Sequence, residues 1–183
     1  MRRADSSGPT ERLRIDSKYV PLVTVARPTV YLLTGLPGSG KSTYARRLEV
    51  DGVTRISVDG EMVARYGQIG VDYPVEAHVR LLGPVLVSAT EQLVIGIRAG
   101  ESVVFDHGLG NRRDREQFKR IVEGAGATWR LLYFVEEMDT LLERLSRRQE
   151  HNLTDSLPIT PDMLAFLASV YEEPSNEGEE IAT

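Results

Sequence analysis

Apolar residues in this chain follow two alternating patterns. "TVYLLT" (Thr29–Thr34) is a short unbroken apolar run, as expected of a strand buried on both faces. A helix is expected from Lys41 to about Val50, and "GVTRISVD" (Gly52–Asp59) reads as a second strand. From Pro74 to Ala99, Val75, Val79, Leu82, Leu86, Leu93 and Ile97 recur mostly at three- and four-residue steps. That period is helical, and Gly83-Pro84 should kink or split the helix. "ESVVFD" (Glu101–Asp106) is a third strand. Asn111 is placed to cap a helix whose buried stripe is Phe118, Ile121 and Val122. "GATWRLLYFV" (Gly126–Val135) is a fourth strand, with Trp129, Leu131 and Tyr133 alternating onto one face as core. Met138, Leu141, Leu142 and Leu145 mark another amphipathic helix. A polar stretch from Glu150 to Pro158 follows, then a helix from about Pro161 to Tyr171, and an acidic end.

Strands alternating with helices imply parallel βαβ units, hence an α/β fold whose sheet is covered on both faces. Ligands then bind beyond the carboxyl ends of the strands. Residues 1–28 read as a polar N-terminal extension. Within it "YVPLVTVA" (Tyr19–Ala26) can supply an extra edge strand, while Pro21 argues against a central one. Residues 29–183 read as one domain, a size that buries a single core. The net charge of −5 gives no global attraction for nucleic acid. The chain has no cysteine, which excludes disulfides, thiolate zinc sites and cysteine nucleophiles. No unbroken apolar run approaches about 18–20 residues, so no membrane span is expected. Met1-Arg2-Arg3 is not followed by the apolar segment of a secretory signal, so a cytoplasmic location is expected.

The chemistry concentrates after the first strand. Gly35-Leu36-Pro37-Gly38-Ser39-Gly40-Lys41-Ser42 fits G-x-x-x-x-G-K-[ST], with Thr43 next. Glycines let successive N–H groups turn inward toward anionic oxygens, and the helix opening at Lys41 adds its free N–H groups and positive dipole end. Lys41 should reach the β- and γ-phosphates, and the Ser42 hydroxyl should hold Mg²⁺. The dinucleotide-binding alternative fails, because its glycine spacing differs and gives a lysine no task.

A phosphate loop leaves the acceptor open: water would make an NTPase, a substrate hydroxyl a kinase. Asp59 and Asp106 are expected to end the second and third strands, on the rim where the γ-phosphate lies. Asp106 suits the metal side, Asp59 the acceptor side. A helix-capping aspartate is the plain alternative for each. Arg112 and Arg115 lie three apart on one flank of the helix after Asp106, Arg115 a candidate catalytic cation and Arg112 a candidate substrate contact. Arg144 and Arg148 lie four apart beside a leucine stripe, where a lid over about residues 144–160 would neutralise the moving phosphoryl group. Such arginines are worth about 10³–10⁵ in rate. Arg147 lies off that face. Solvated Glu–Arg pairs are the alternative for these arginines. His107 suits substrate contact or packing. Tyr66, Tyr73, His78 and Arg80 lie in the long insertion between Asp59 and Asp106, where an acceptor pocket would be built.

The combination "GLPGSGKST", "SVDGEMVARYG", "VVFDHGLGNRRDREQF", "LLERLSRRQE" and "ITPDMLAFLASVYEEPSNEGEE" resembles bacterial P-loop kinases related to polynucleotide 5′-hydroxyl kinases, zeta toxins and chloramphenicol phosphotransferase. These are often labelled AAA-family ATPases or ATP-binding proteins. The resemblance covers about Val30 to Ile181. It implies a doubly wound, mostly parallel sheet, Mg-ATP as donor, and transfer of the γ-phosphate to a hydroxyl of a small molecule, a metabolite or an antibiotic. It implies Asp59 as base, Arg144 and Arg148 as lid arginines, and a loop near Pro174 close to the adenine. Relatives usually continue into a last strand; here it is very short near Ile181 or is supplied by Tyr19–Ala26. Nucleic-acid kinases of this kind carry more basic acceptor clefts than the segment between Asp59 and Asp106 offers. A kinase of a nucleotide, nucleotide sugar or nucleic-acid 5′ end, and an ATP-binding switch or ATPase without an acceptor, stand as alternatives.

Overall fold

A computed structural model describes residues 27–150 and 158–182. The elements run β1 (Thr29–Thr34), α1 (Lys41–Val50), β2 (Thr54–Ser57), α2 (Val58–Tyr66), α3 (His78–Arg98), β3 (Val103–Asp106), α4 (Arg112–Ala125), β4 (Thr128–Tyr133), α5 (Met138–Glu150), α6 (Pro161–Val170) and β5 (Glu179–Ile181). The five strands form one sheet in the order β2-β3-β1-β4-β5, and every pairing is parallel. The sheet is thus the doubly wound α/β arrangement that the alternation implies. The expected Tyr19–Ala26 strand and most of the lid segment after Glu150 lie outside the described residues.

Alternate residues of the strands feed different cores. Val30 and Leu32 of β1 with Val103 and Phe105 of β3 meet α2, α3 and α4 through Met62, Leu93 and Phe118. Leu33 and Val104 face the other way and meet Ala45 of α1 and Phe134. A smaller cluster joins α5 to α6 through Leu141, Leu145, Ile159 and Leu164, with Leu36 against it. Burial on both faces explains why the strands read as unbroken apolar runs.

Two expectations are corrected. The second strand stops at Ser57, and α2 begins at once, a helix not expected from the sequence. Ser57 caps it, its Oγ accepting from the Gly60 N–H, and Asp59 and Glu61 complement the helix dipole in the first turn. Asp59 therefore stands on a helix rather than at a strand end. The long insertion is one 3-10 turn at Val75–Ala77 and then α3, which runs unbroken through Pro84. Arg80, Gly83 and Pro84 are all exposed, so water can take the carbonyl that loses its donor. By length and composition the segment Val75–Arg98 is apolar enough to cross a membrane. Its buried face, Val85, Ala89, Leu93 and Ile97, packs in the sheet core instead.

The chain end is held by charge. Arg115 of α4 is fully buried, and its Nε and Nη2 donate to the two carboxylate oxygens of Glu177 at 2.8 and 2.7 Å. Its Nη1 donates to the carbonyls of Leu109 and Glu172. Lys119 donates to the Glu177 carbonyl at 2.8 Å and lies 4.8 Å over the Trp129 ring. From this anchor the chain continues into β5, which pairs with β4 and is the short last strand expected near Ile181. Breaking a buried pair leaves an unpaired charge, so Arg115→Met should cost about 3–5 kcal/mol in denaturant melts, and adding Glu177→Leu should recover much of the loss.

Candidate active site

The phosphate turn is held from both sides. Thr34, at the buried end of β1, donates its Oγ to the Leu109 carbonyl at 2.7 Å and sits 3.0 Å from the Tyr171 hydroxyl. Gly35 follows with φ +139°, and a Cβ there would stand 2.5 Å from the Phe134 carbonyl oxygen. Only glycine allows the chain to pass so close to β4 in that conformation. Lys41 opens α1, and its Nζ folds back to donate to the carbonyls of Gly35 and Leu36 at 2.7 and 2.8 Å. Burial pushes this amine down to about 8, against the opposing pull of Asp106 and Asp59. The loop after β3 passes close by, since a Cβ on Gly108 would lie 3.4 Å from Lys41 Cε.

Asp106 ends β3, is 5% exposed, and accepts the Ser42 hydroxyl on Oδ1 at 2.9 Å. Its other oxygen, Oδ2, accepts from Arg55 Nε and Nη2 at 3.0 and 2.6 Å. The register pairs Ser57 with Asp106 and Arg55 with Val104, so Arg55 reaches along one face of the sheet. A hydroxyl and a carboxylate side by side are hard oxygen donors suited to Mg²⁺. Burial pushes His107 down to about 4, which keeps its imidazole neutral at pH 7.

Two cavities flank the turn. One, of about 310 Å³, is lined by the turn from Gly35 to Gly38 with Gly40, Lys41 and Ser42, and by Asp59, His107, Asn111, Arg148 and Tyr171. Ile159, Leu167 and Val170 give it an aliphatic wall. The other, of about 800 Å³, is lined by Gly38, Ser39, Gly40, Thr43, Tyr44, Arg47, Phe134, Arg144, Arg147 and Arg148, with Ile181 and Ala182 of the chain end. Gly38, Gly40 and Arg148 border both. Arg144 donates to the Gly38 carbonyl at 3.3 Å and pairs with Glu136 at 2.7 Å, tying α5 to the turn.

Lys41, Ser42, Asp59, Asp106, Arg144 and Arg148 thus meet around one turn, and His107 joins them. Other expected residues do not. Arg115 is no phosphate-facing cation, because the Glu177 pair and two carbonyls occupy its donors inside the fold. Arg112 is exposed, and its backbone N–H donates to Glu172. Tyr66 packs against Tyr73, which hydrogen-bonds His78 at 3.0 Å; Tyr66 and His78 line neither cavity, and Arg80 is exposed on α3. Pro174 is buried and lines neither cavity; Ile181 and Ala182 border the larger one instead. Arg147, set aside by its helical position, lines the larger cavity beside Arg144. Arg55, Asn111 and Tyr171 went unassigned. Asn111 was readable only as a helix cap, and Arg55 carries no motif.

A sheet of five parallel strands with a lysine-bearing glycine turn after its central strand defines a P-loop nucleotide-binding α/β protein with a kinase-like fold. The model of the AAA domain family AAA_33 matches residues 30–173, and the chain belongs to that family. Solved structures agree on the fold. A protein designated a kinase from Chloroflexus aurantiacus j-10-fl superimposes with a TM-score of 0.68 at 18% identity, over 85% of this chain and 84% of that one. A chain of the Pnkp1/Rnl/Hen1 RNA repair complex gives 0.63 at 19% identity, over 79% of this chain and 44% of that one. The APS kinase CysC of Mycobacterium tuberculosis, in complex with AMPPNP and APS, gives 0.53 at 18%, over 82% and 86%. No curated protein sequence matches the chain.

A phosphate chain selects the protonated form of Lys41. Below its value of about 8 the amine already carries the proton, so ADP affinity should be flat there. Above it, binding must take up one proton, and affinity should fall about tenfold per pH unit. Calorimetric titration of ADP from pH 6.5 to 9.5 reads the slope, and Lys41→Met should remove it.

Proposed function

We propose that this chain is an ATP-dependent phosphotransferase that moves the γ-phosphate of Mg-ATP to a hydroxyl of a small molecule, a metabolite or an antibiotic. The observation that carries the reading is that Lys41 and Asp59 line the same cavity of about 310 Å³, next to the Ser42–Asp106 pair. A cation for the transferring group and a carboxylate for the attacking hydroxyl then share one cleft.

The larger cavity suits the nucleotide. Its arginines Arg47, Arg144, Arg147 and Arg148 complement phosphates, and Tyr44, Val135 and Ala182 offer contact to a base. Ser42 and Asp106 would hold Mg²⁺, which neutralises charge on the phosphates when bound. Arg148, on the border of both cavities, stands where charge moves from donor to acceptor. Asp59 orients the acceptor hydroxyl and takes its proton. His107, neutral, and Asn111 offer hydrogen bonds to further hydroxyls, and the aliphatic wall of α6 covers a less polar face of the acceptor.

The likeness to a chain of an RNA repair complex keeps a nucleic-acid acceptor as the second reading. Among the described residues the smaller cavity has two cations in its lining, Lys41 and Arg148. A polyanionic acceptor would need more, and its binding would weaken steeply with salt.

Acceptor-dependent ADP release, screened over metabolites and antibiotics, should single out an alcohol. Lys41→Ala should abolish transfer while the melting temperature holds. Asp59→Asn should lower kcat by about 10² or more with ATP affinity kept, as loss of a general base requires. ATP turnover that ignores every acceptor and is indifferent to Asp59→Asn would mean an ATPase switch instead.

A further inference from the structure

Arg55 lies in the middle of β2, outside every motif, and is 14% exposed. Both of its donors toward the site, Nε and Nη2, go to a single oxygen, Asp106 Oδ2. Nη2 also reaches Ser57 Oγ at 3.3 Å, and Nη1 lies 3.8 Å from Glu49 Oε2 on α1. The remaining oxygen, Asp106 Oδ1, takes the Ser42 hydroxyl. The carboxylate is therefore divided between a fixed cation and the phosphate turn.

We propose that Arg55 is a positioning residue that stops Asp106 from binding a divalent cation by itself, so that the metal enters only together with the nucleotide. The inference rests on the Mg-ATP reading of Ser42 and Asp106. Three observations lead to it. Chelation by both oxygens of Asp106 is excluded while the Arg55 fork holds Oδ2. The guanidinium offsets the negative charge that would attract a free cation, and at this burial the opposing term is large. Finally, among the described residues no group of three or more His, Asp or Glu side chains could hold a metal ion. An ion beside Ser42 must then complete its oxygen shell with phosphate oxygens and water. The parallel register fixes the device, because Ser57 beside Asp106 places Arg55 one pleat back on the same face, toward α1.

Mn²⁺ serves as the probe, its free form counted by electron paramagnetic resonance with and without ADP. The wild-type protein should bind Mn²⁺ measurably only when ADP is present. Arg55→Met should tighten Mn²⁺ in the ADP complex at least about fivefold, since an opposing charge is removed from a low-dielectric site. It should also give measurable binding without ADP, while metal-free ADP affinity stays within about twofold, a split that a general packing defect does not produce. Arg55→Lys, which keeps the charge, should stay near wild type, and Asp106→Asn in the Arg55→Met background should erase the gain. Unchanged or weaker Mn²⁺ affinity in a folded Arg55→Met protein overturns the proposal. So does wild-type protein that binds Mn²⁺ equally well without ADP, a measurement that needs no variant. Failure of ADP to bind wild type at all would overturn the Mg-ATP reading, and this inference with it; ADP binding with unaltered Mn²⁺ affinity overturns this inference alone.

Discussion

A buried charge pair under the chain end decides what stands around the phosphate turn. Arg115 and Glu177 lie 62 residues apart and meet with no exposure of the arginine. Their geometry satisfies the demand that burial makes on ions, because each guanidinium nitrogen and both carboxylate oxygens have partners. On one side of this anchor, Glu172 and Tyr171 are drawn in, and the Tyr171 hydroxyl meets Thr34 at the end of β1. On the other side β5 is laid against β4, bringing Ile181 and Ala182 to the larger cavity. One pair of opposite charges thus supports a wall of each cavity. The hydrogen bonds from Arg115 hold Glu177 below the usual carboxylate range, so this support is present at neutral pH and is lost only as acid protonates Glu177.

The surroundings of the turn are less charged than their residue types suggest. Lys41 is lowered by burial and turned onto carbonyls of its own loop, Asp106 is offset by Arg55, and His107 is neutral. Burying free charges would cost several kcal/mol apiece. Pairing and neutralisation keep that cost down.

The sheet and its rim were legible because they depend on local chemistry. Thr29–Thr34 and Glu101–Asp106 read as buried strands since both faces are covered, and the glycine turn announces itself by residues that only a tight phosphate cradle requires. Asp106 and Lys41 followed from the ends of those strands. The helix α2 was missed because its start looks like the end of a strand: "ISVD" is apolar-rich, and only the Ser57 cap turns the chain. Arg115, read as a site cation, and Arg55, not assigned, have partners that were beyond reach for a related reason. An arginine on a polar helix flank and one in mid-strand look like solvent residues, and their partners, Glu177 and Asp106, are 62 and 51 positions away. Long-range pairing of charges leaves no periodicity.

The substrate residues expected in the insertion show how the same limit acts on function. Tyr66, Tyr73 and His78 looked like pocket residues because they lie in the long insertion between Asp59 and Asp106, yet they mainly satisfy one another through ring contacts and the Tyr73–His78 hydrogen bond. The apolar wall of the smaller cavity comes instead from α6, a helix whose apolar residues look like ordinary core. Leu164 of that helix is core, closing the cluster with α5. Leu167, one turn further on, packs against that cluster and also lines the smaller cavity, as does Val170 at the end of the helix. Helical spacing puts the three on neighbouring rows of one helix, so a single apolar stripe both fastens α6 to the fold and lines the smaller cavity. Leu167 therefore serves both the packing of α6 and the lining of the cavity, and a substitution there acts on both.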